Sequence, residues 1–396
     1  MKPIYRNFAF ITAIAGTVAL SACGGGGGSA PTAMQSGTVH FALTDAPACG
    51  FDAVNVTIVK VRVHKSATAS ESDAGWTDVS LNPAKKVNLL NLTNGVLMDL
   101  GQMPLDTGHY TQTRLVLAPN SDATPFANSV IPTGGAEIAL DTPSAVQSGI
   151  KLNHEFDVAA NTLSDFTLDF DACRSVVSRG NGSYGLKPVI GVTPVVVSGA
   201  IKGSVTAVPL TAHPLVTAQL NGVVVKTTVP DATGAFTLSP LVQNSAGYSV
   251  VVTADNYATD AVTGVPVVAQ STTVISTPAA PLTLSASAAN SVSGTVLPVV
   301  AQAGLRATQT YGTTAPVTVT VKSTGANLST GAYSMSLPVS AAMLGSFGTG
   351  TLPIQLSAQS TSAGKYSAEA AASGYTTQTV PVNVTSASVV QNFTLN

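Results

Sequence analysis

Short apolar runs alternate with polar residues along most of the chain, and Gly, Pro, Asn and Asp separate the runs. An alternation of two places one set of side chains on one face of an extended strand. Thr38–Leu43 has this pattern, as do Phe166, Leu168 and Phe170 set against Thr167, Asp169 and Asp171. In Val54–Ile58 the apolar residues fall on one parity. From Val59 the parity flips, with Val59, Val61 and Val63 set against Lys60, Arg62 and His64. A strand that changes parity without a turn predicts a β-bulge near residue 59. Gly108–Leu117 reads as another strand, Asn94-Gly95 and Gly180–Gly182 as turns, and Trp76 as a core anchor. Helical periodicity is scarce, so the expected fold class is all-β.

The amino terminus follows a different pattern. Lys2 and Arg6 precede the uncharged, mostly apolar run Phe8–Leu20. A bilayer span needs about 20 apolar residues, so this run has the length of a secretory leader. Gly24–Gly28 and Ser29 then form a flexible tether. The uncharged stretch from Ala261 to Leu305 is rich in Ser, Thr and Pro and does not read as a lipid-facing helix.

Composition narrows the function classes. Charged residues are 9% of the 396, against a typical quarter, and the formal net charge is −2, which excludes a basic nucleic-acid binder. Aromatic residues are only 5%, too few for broad stacking platforms. Charge is concentrated before Val197–Ser198, which predicts a domain boundary there.

Candidate chemistry is sparse. Asp169 and Asp171 share one strand face, and Asp45 and Asp171 each lie shortly before a cysteine, Cys49 and Cys173. Pairing of those cysteines would gather Asp45, Asp169 and Asp171 into a cluster able to hold a hard cation such as Ca²⁺; the alternative is that they cap turns and accept backbone hydrogen bonds. His40, His64, His109, His154 and His213 form no paired motif and read as surface or rim residues. No nucleophile elbow or phosphate-binding loop occurs, so no catalytic residue and no cofactor is expected, Ca²⁺ aside.

Several segments resemble known families. Leu20-Ser21-Ala22-Cys23 resembles the lipobox of bacterial lipoproteins, which implies that residues 1–22 are a cleaved signal peptide and that Cys23 carries the lipid. In that family Gly24, in place of Asp, implies the outer membrane. With Cys23 lipidated, the even remainder suggests a Cys49–Cys173 disulfide in an exported protein. Leu43-Thr44-Asp45-Ala46-Pro47, Gly108–Gln112, Asp169-Phe170-Asp171 and Tyr184–Pro188 resemble, in order, the uncharacterised bacterial lipoprotein domain DUF4382, which implies a β-sandwich and no assigned chemistry.

The remainder reads as two copies of one unit. Ser198-Gly199 parallels Ser293-Gly294, and Gly234–Ser239 parallels Gly331–Ser336. Tyr248 and Tyr257 match Tyr366 and Tyr375. The second copy carries an insertion around Val339–Pro353. These copies resemble carboxypeptidase-regulatory-like (prealbumin-like) sandwiches, commonly classed with carbohydrate-binding-like folds. Asp231-Ala232-Thr233-Gly234-Ala235-Phe236 fits their turn well, and Asn327 with Thr330-Gly331 fits it more loosely.

The expected architecture is three tandem β-sandwich (Ig/transthyretin-like) domains, 37–197, 198–288 and 289–396, after a 1–22 signal peptide and a 23–36 lipidated linker. The expected role is non-catalytic, structural or binding. The membrane partner would be reached through Cys23, and a cell-surface protein or glycan would be the other partner. The distal pair would form a stalk or a binding surface. The rivals are a hydrolase that uses first-domain carboxylates and a Ca²⁺-stabilised adhesin.

Overall fold

Strand-forming residues and alternating burial dictate the first sheet. In the computed structural model, which describes residues 35–46, 50–206, 208–312, 316–348 and 352–396, Ser36–Ala46 lies between Leu163–Asp171 (parallel) and Met98–Asp106 (antiparallel). Its register sets Phe41 opposite Phe166, Leu43 opposite Leu168 and Asp45 opposite Phe170. Partners in a parallel ladder project to the same face, so these residues point together into the core. The Phe41 and Phe166 rings stack at 5.8 Å, and Phe156 meets Phe41 edge-on at 6.5 Å. Burial of each such ring stabilises the fold by about 1.5–3 kcal/mol.

The facing sheet is built on Phe51–His64, which pairs with Thr77–Asn88, Gln112–Leu117 and Ser129–Pro132. Its ladder shifts between Ile58 and Lys60, so Val59 is the bulge that the parity change predicts. Ile58 and Val61 are both fully buried as a result. The Gly108–Leu117 strand is instead two strands, Gly108–Tyr110 and Gln112–Leu117, because the Thr111 N–H turns away to donate to His64 O.

Two later parts of the chain pair their strands alike. Ser198–Ser204 pairs antiparallel with Ala235–Val242 and parallel with Thr272–Val274. In the same way, Ala289–Leu297 pairs antiparallel with Ala332–Pro338 and parallel with Val389–Val390. Gly234 and Gly331 both have positive φ, and a Cβ on either would lie 2.0 or 2.3 Å from the Val205 or Val296 carbonyl oxygen. The Tyr248 hydroxyl donates to Val242 O and the Tyr366 hydroxyl to Pro338 O, both at 2.6 Å, each at the end of the corresponding strand.

Three hydrophobic cores result, and they interlock within the compact unit 35–396. Met343–Ser346, inside the predicted insertion, runs parallel to Asp260–Thr263 and extends the middle sheet. Phe347, Ile354 and Leu356 pack on the middle core, whereas Val251 and Ala261 belong to the last one. The first and last cores also touch: Leu328 N donates to Ser178 O, and Lys187 Nζ donates to Gln302 O. The three cores therefore close on one another.

Candidate functional site

The face of Leu163–Asp171 opposite its phenylalanines carries Thr167, Asp169 and Asp171. An ordinary antiparallel sheet would turn such a face to water. Here it meets the middle core, and Thr167 is 1% exposed. Val223–Thr228 supplies the partner surface. A register shift at Ala218/Gln219 leaves Val225 unpaired, and Lys226, Thr227 and Thr228 are buried in succession. Lys226 Nζ lies 2.7 Å from Asp169 Oδ1, and the side chains are 2% and 13% exposed.

The three predicted aspartates are gathered into one region but not onto one face. Asp169 pairs with Thr44, whereas Asp45 sits on the core side opposite Phe170. Asp45 Oδ1 accepts from Ala172 N at 3.1 Å, and Asp45 Oδ2 is buried without a hydrogen-bond partner among the described residues. Burial pushes the Asp45 carboxyl well above the usual carboxylate range; the Ala172 N–H pulls it down, and nearby Asp169 and Asp171 add to the rise. Asp171 caps the short helix Ala172–Ser175 by accepting from Arg174 N. Burial raises its carboxyl to about 6, against the opposing pull of Arg174. Both aspartates thus do the capping and backbone work that was the alternative to cation binding. The cation beside this cluster is the chain's own Lys226, and no group of three or more His, Cys, Asp or Glu among the described residues is arranged to hold a metal ion.

The middle and last cores meet at a shallow cleft lined by His213, Asp255, Tyr257, Lys322, Ser336 and Pro338. Asp255 bridges His213 Nδ1 at 2.8 Å and Lys322 Nζ at 3.2 Å. Burial pushes its carboxyl up, but the His213 hydrogen bond and the Lys322 charge outweigh this and hold it below its ordinary value. Nearby, Asp260 is fully buried, and neither carboxyl oxygen has a hydrogen-bond partner among the described residues. Burial pushes it up to about 7.

Trp76 is not the core anchor expected from sequence. It is only partly buried and lies over Arg62 at 4.5 Å, Arg114 at 4.7 Å and His64 at 5.0 Å. The electron-rich ring face attracts the two guanidinium groups that the polar side of the sheet presents. Arg114 itself is 1% exposed and is held by the Ala69 and Ser148 carbonyls. Among the other histidines, His40 pairs with Asp165 and Asp99, and His109 pairs with Asp157 and Glu155. His154 stacks on Phe156 and meets Phe166 edge-on, where burial lowers its pKa.

Cys23 and Cys49 lie outside the described residues. Cys173 is bonded and is not a free thiol. Sequence reasoning missed Lys226 and Asp260; the one signal for either was a lone charge within an otherwise apolar or hydroxyl-rich strand.

Residues 36–188 match the family model described as "Domain of unknown function (DUF4382)". The matched region holds every strand of the two facing sheets except Ile190–Pro194, which pairs with Leu163–Asp171. No curated protein matches the chain. Among solved structures, the chain is similar to a type II cohesin–X-dockerin complex of Acetivibrio cellulolyticus, with 25% identity, 22% of this chain and 58% of that one covered, and a TM-score of 0.18. It thus spans less than two thirds of that chain. It is also similar to the Bacillus anthracis TIE protein (10% identity, 91% and 50% covered, TM-score 0.17) and to a streptococcal ancillary pilin (9% identity, 91% and 99% covered, TM-score 0.17).

Proposed function

We propose that the chain is a lipid-anchored protein of the bacterial outer membrane with a non-catalytic structural or binding role toward a cell-surface protein or glycan. One observation carries the non-catalytic part. The first-domain carboxylates that a hydrolase would use are spent on internal contacts: Asp169 on Lys226, Asp45 on Ala172 N and Asp171 on Arg174 N. A general acid or nucleophile must reach substrate, and these groups face the protein interior.

The anchor rests on Leu20-Ser21-Ala22-Cys23 and on the Gly24–Gly28 tether behind it. Two acyl chains hold a protein on a membrane where one does not. The register of Ala46 with Asp171, and the Asp45–Ala172 hydrogen bond, bring together the backbone shortly before Cys49 and Cys173, which supports their pairing. The duplicated Ser-Gly strand, Gly turn and Tyr contact support the carboxypeptidase-regulatory-like reading of residues 198–396. The His213–Asp255–Lys322 cleft offers polar groups suited to a neutral or hydroxyl-rich ligand.

The test is a glycan array and a surface-protein pull-down with the full chain, followed by assay of each captured glycan for cleavage. Capture without turnover is expected. Hydrolysis that disappears in Asp169→Asn would overturn the reading.

A further inference from the structure

Lys226 and Asp169 come from different cores, yet their charged atoms lie 2.7 Å apart in a buried position. At that distance an ammonium and a carboxylate ordinarily share a hydrogen bond. These two do not: among the described residues neither Lys226 Nζ nor Asp169 Oδ1 has a hydrogen-bond partner, so their approach is off the angles that a hydrogen bond uses. The bulge at Val225 and the packing of Val223–Thr228 against the first core fix the amine in this position.

We propose that Lys226 and Asp169 condense to an intramolecular amide that ties the middle core covalently to the first. The atoms balance without a co-reactant. The Nζ–Cγ bond forms and one Cγ–O bond of Asp169 breaks. Two of the three ammonium protons leave with that oxygen as water, and the third stays on the amide nitrogen. Two buried charges become a neutral group, which removes the desolvation penalty of both ions. Positioning replaces activation, since held reactants reach effective molarities of about 10⁵ M or more. Asp171 lies two residues along the same strand face. Its carboxyl is raised by burial to about 6, so it can take an ammonium proton and return it to the departing oxygen near neutral pH.

The experiment is to fold the full chain, then denature and reduce it, digest it with trypsin and identify the peptides by mass spectrometry. Acylated Lys226 resists trypsin, so the expected product is residues 203–306 uncut and linked to residues 152–174, lighter by one water than the two peptides together. Fragmentation should place the link on Asp169. Lys226→Arg keeps the charge and cannot condense, and should yield separate peptides. Asp171→Asn keeps the helix-capping oxygen and should slow linkage at least tenfold in a refolding time course. Complete cleavage after Lys226 in the wild-type chain would overturn the amide and leave an ordinary ion pair. Linkage of Asp171→Asn at the wild-type rate would overturn the proton-carrying role of Asp171.

Discussion

Gln219 and Thr320 exchange two hydrogen bonds across the junction of the middle and last cores. Gln219 Nε2 donates to Thr320 O at 2.8 Å, and Thr320 N donates to Gln219 Oε1 at 2.7 Å. Gln219 is fully buried, and its amide satisfies the backbone of a strand in the neighbouring core. Thr320 Oγ1 adds a bond to Gly222 O at 2.6 Å. A side chain here replaces the ladder that a continuous sheet would have supplied.

Gln219→Leu should therefore leave a buried N–H and a buried C=O without partners. Each such group costs about 1–3 kcal/mol. Urea unfolding should show a clearly lowered midpoint, and an unchanged midpoint would remove this junction from the account.

The paired glycines allow a cleaner comparison. Gly234→Ala and Gly331→Ala would each drive a Cβ into a backbone oxygen at positive φ. Gly134 also has positive φ but has nothing within 4 Å of a Cβ. Gly134→Ala should cost about 1 kcal/mol, from backbone conformation alone. The other two should each cost several times as much, measured by thermal or denaturant unfolding. Equal losses at all three sites would mean that the close approach does not matter.

Asp260 sets a pH dependence. Its carboxyl rises from 3.8 to about 7 on burial, so between those values the folded state holds a proton that the unfolded chain has lost. Stability from this group is thus full below about pH 4 and falls as pH rises toward about 7. A shift of about three units corresponds to about 4 kcal/mol. Asp260→Asn cannot titrate, so its stability relative to wild type should improve steadily from pH 4 to 7.5. A difference that stays constant over that range would show that Asp260 is not buried as a protonated acid.

Much of the fold was legible because strands announce themselves by parity. The Val59 bulge, the Asn94-Gly95 turn with both residues at positive φ, and the paired glycines 234 and 331 were all readable from residue type and spacing. The interlocking of the cores was not. Met343–Ser346 reads as an insertion, and only its parallel pairing with the Asp260 strand shows that it completes a neighbour's sheet. Nor does local pattern reveal that a polar strand face is buried, since Thr167, Asp169 and Asp171 look solvent-facing until Lys226 arrives from over fifty residues away. Trp76 misled for a related reason: a large ring after a glycine suggests a core, but two arginines on the same sheet face drew it to the surface.

Where the protein works turns on the proposed anchor at Cys23. The direct measurement is mass spectrometry of the amino-terminal peptide from native membranes, with fractionation of the same cells. A chain beginning at an acylated Cys23 should appear in the outer-membrane fraction. A free thiol at Cys23 on protein recovered from the soluble fraction would contradict it.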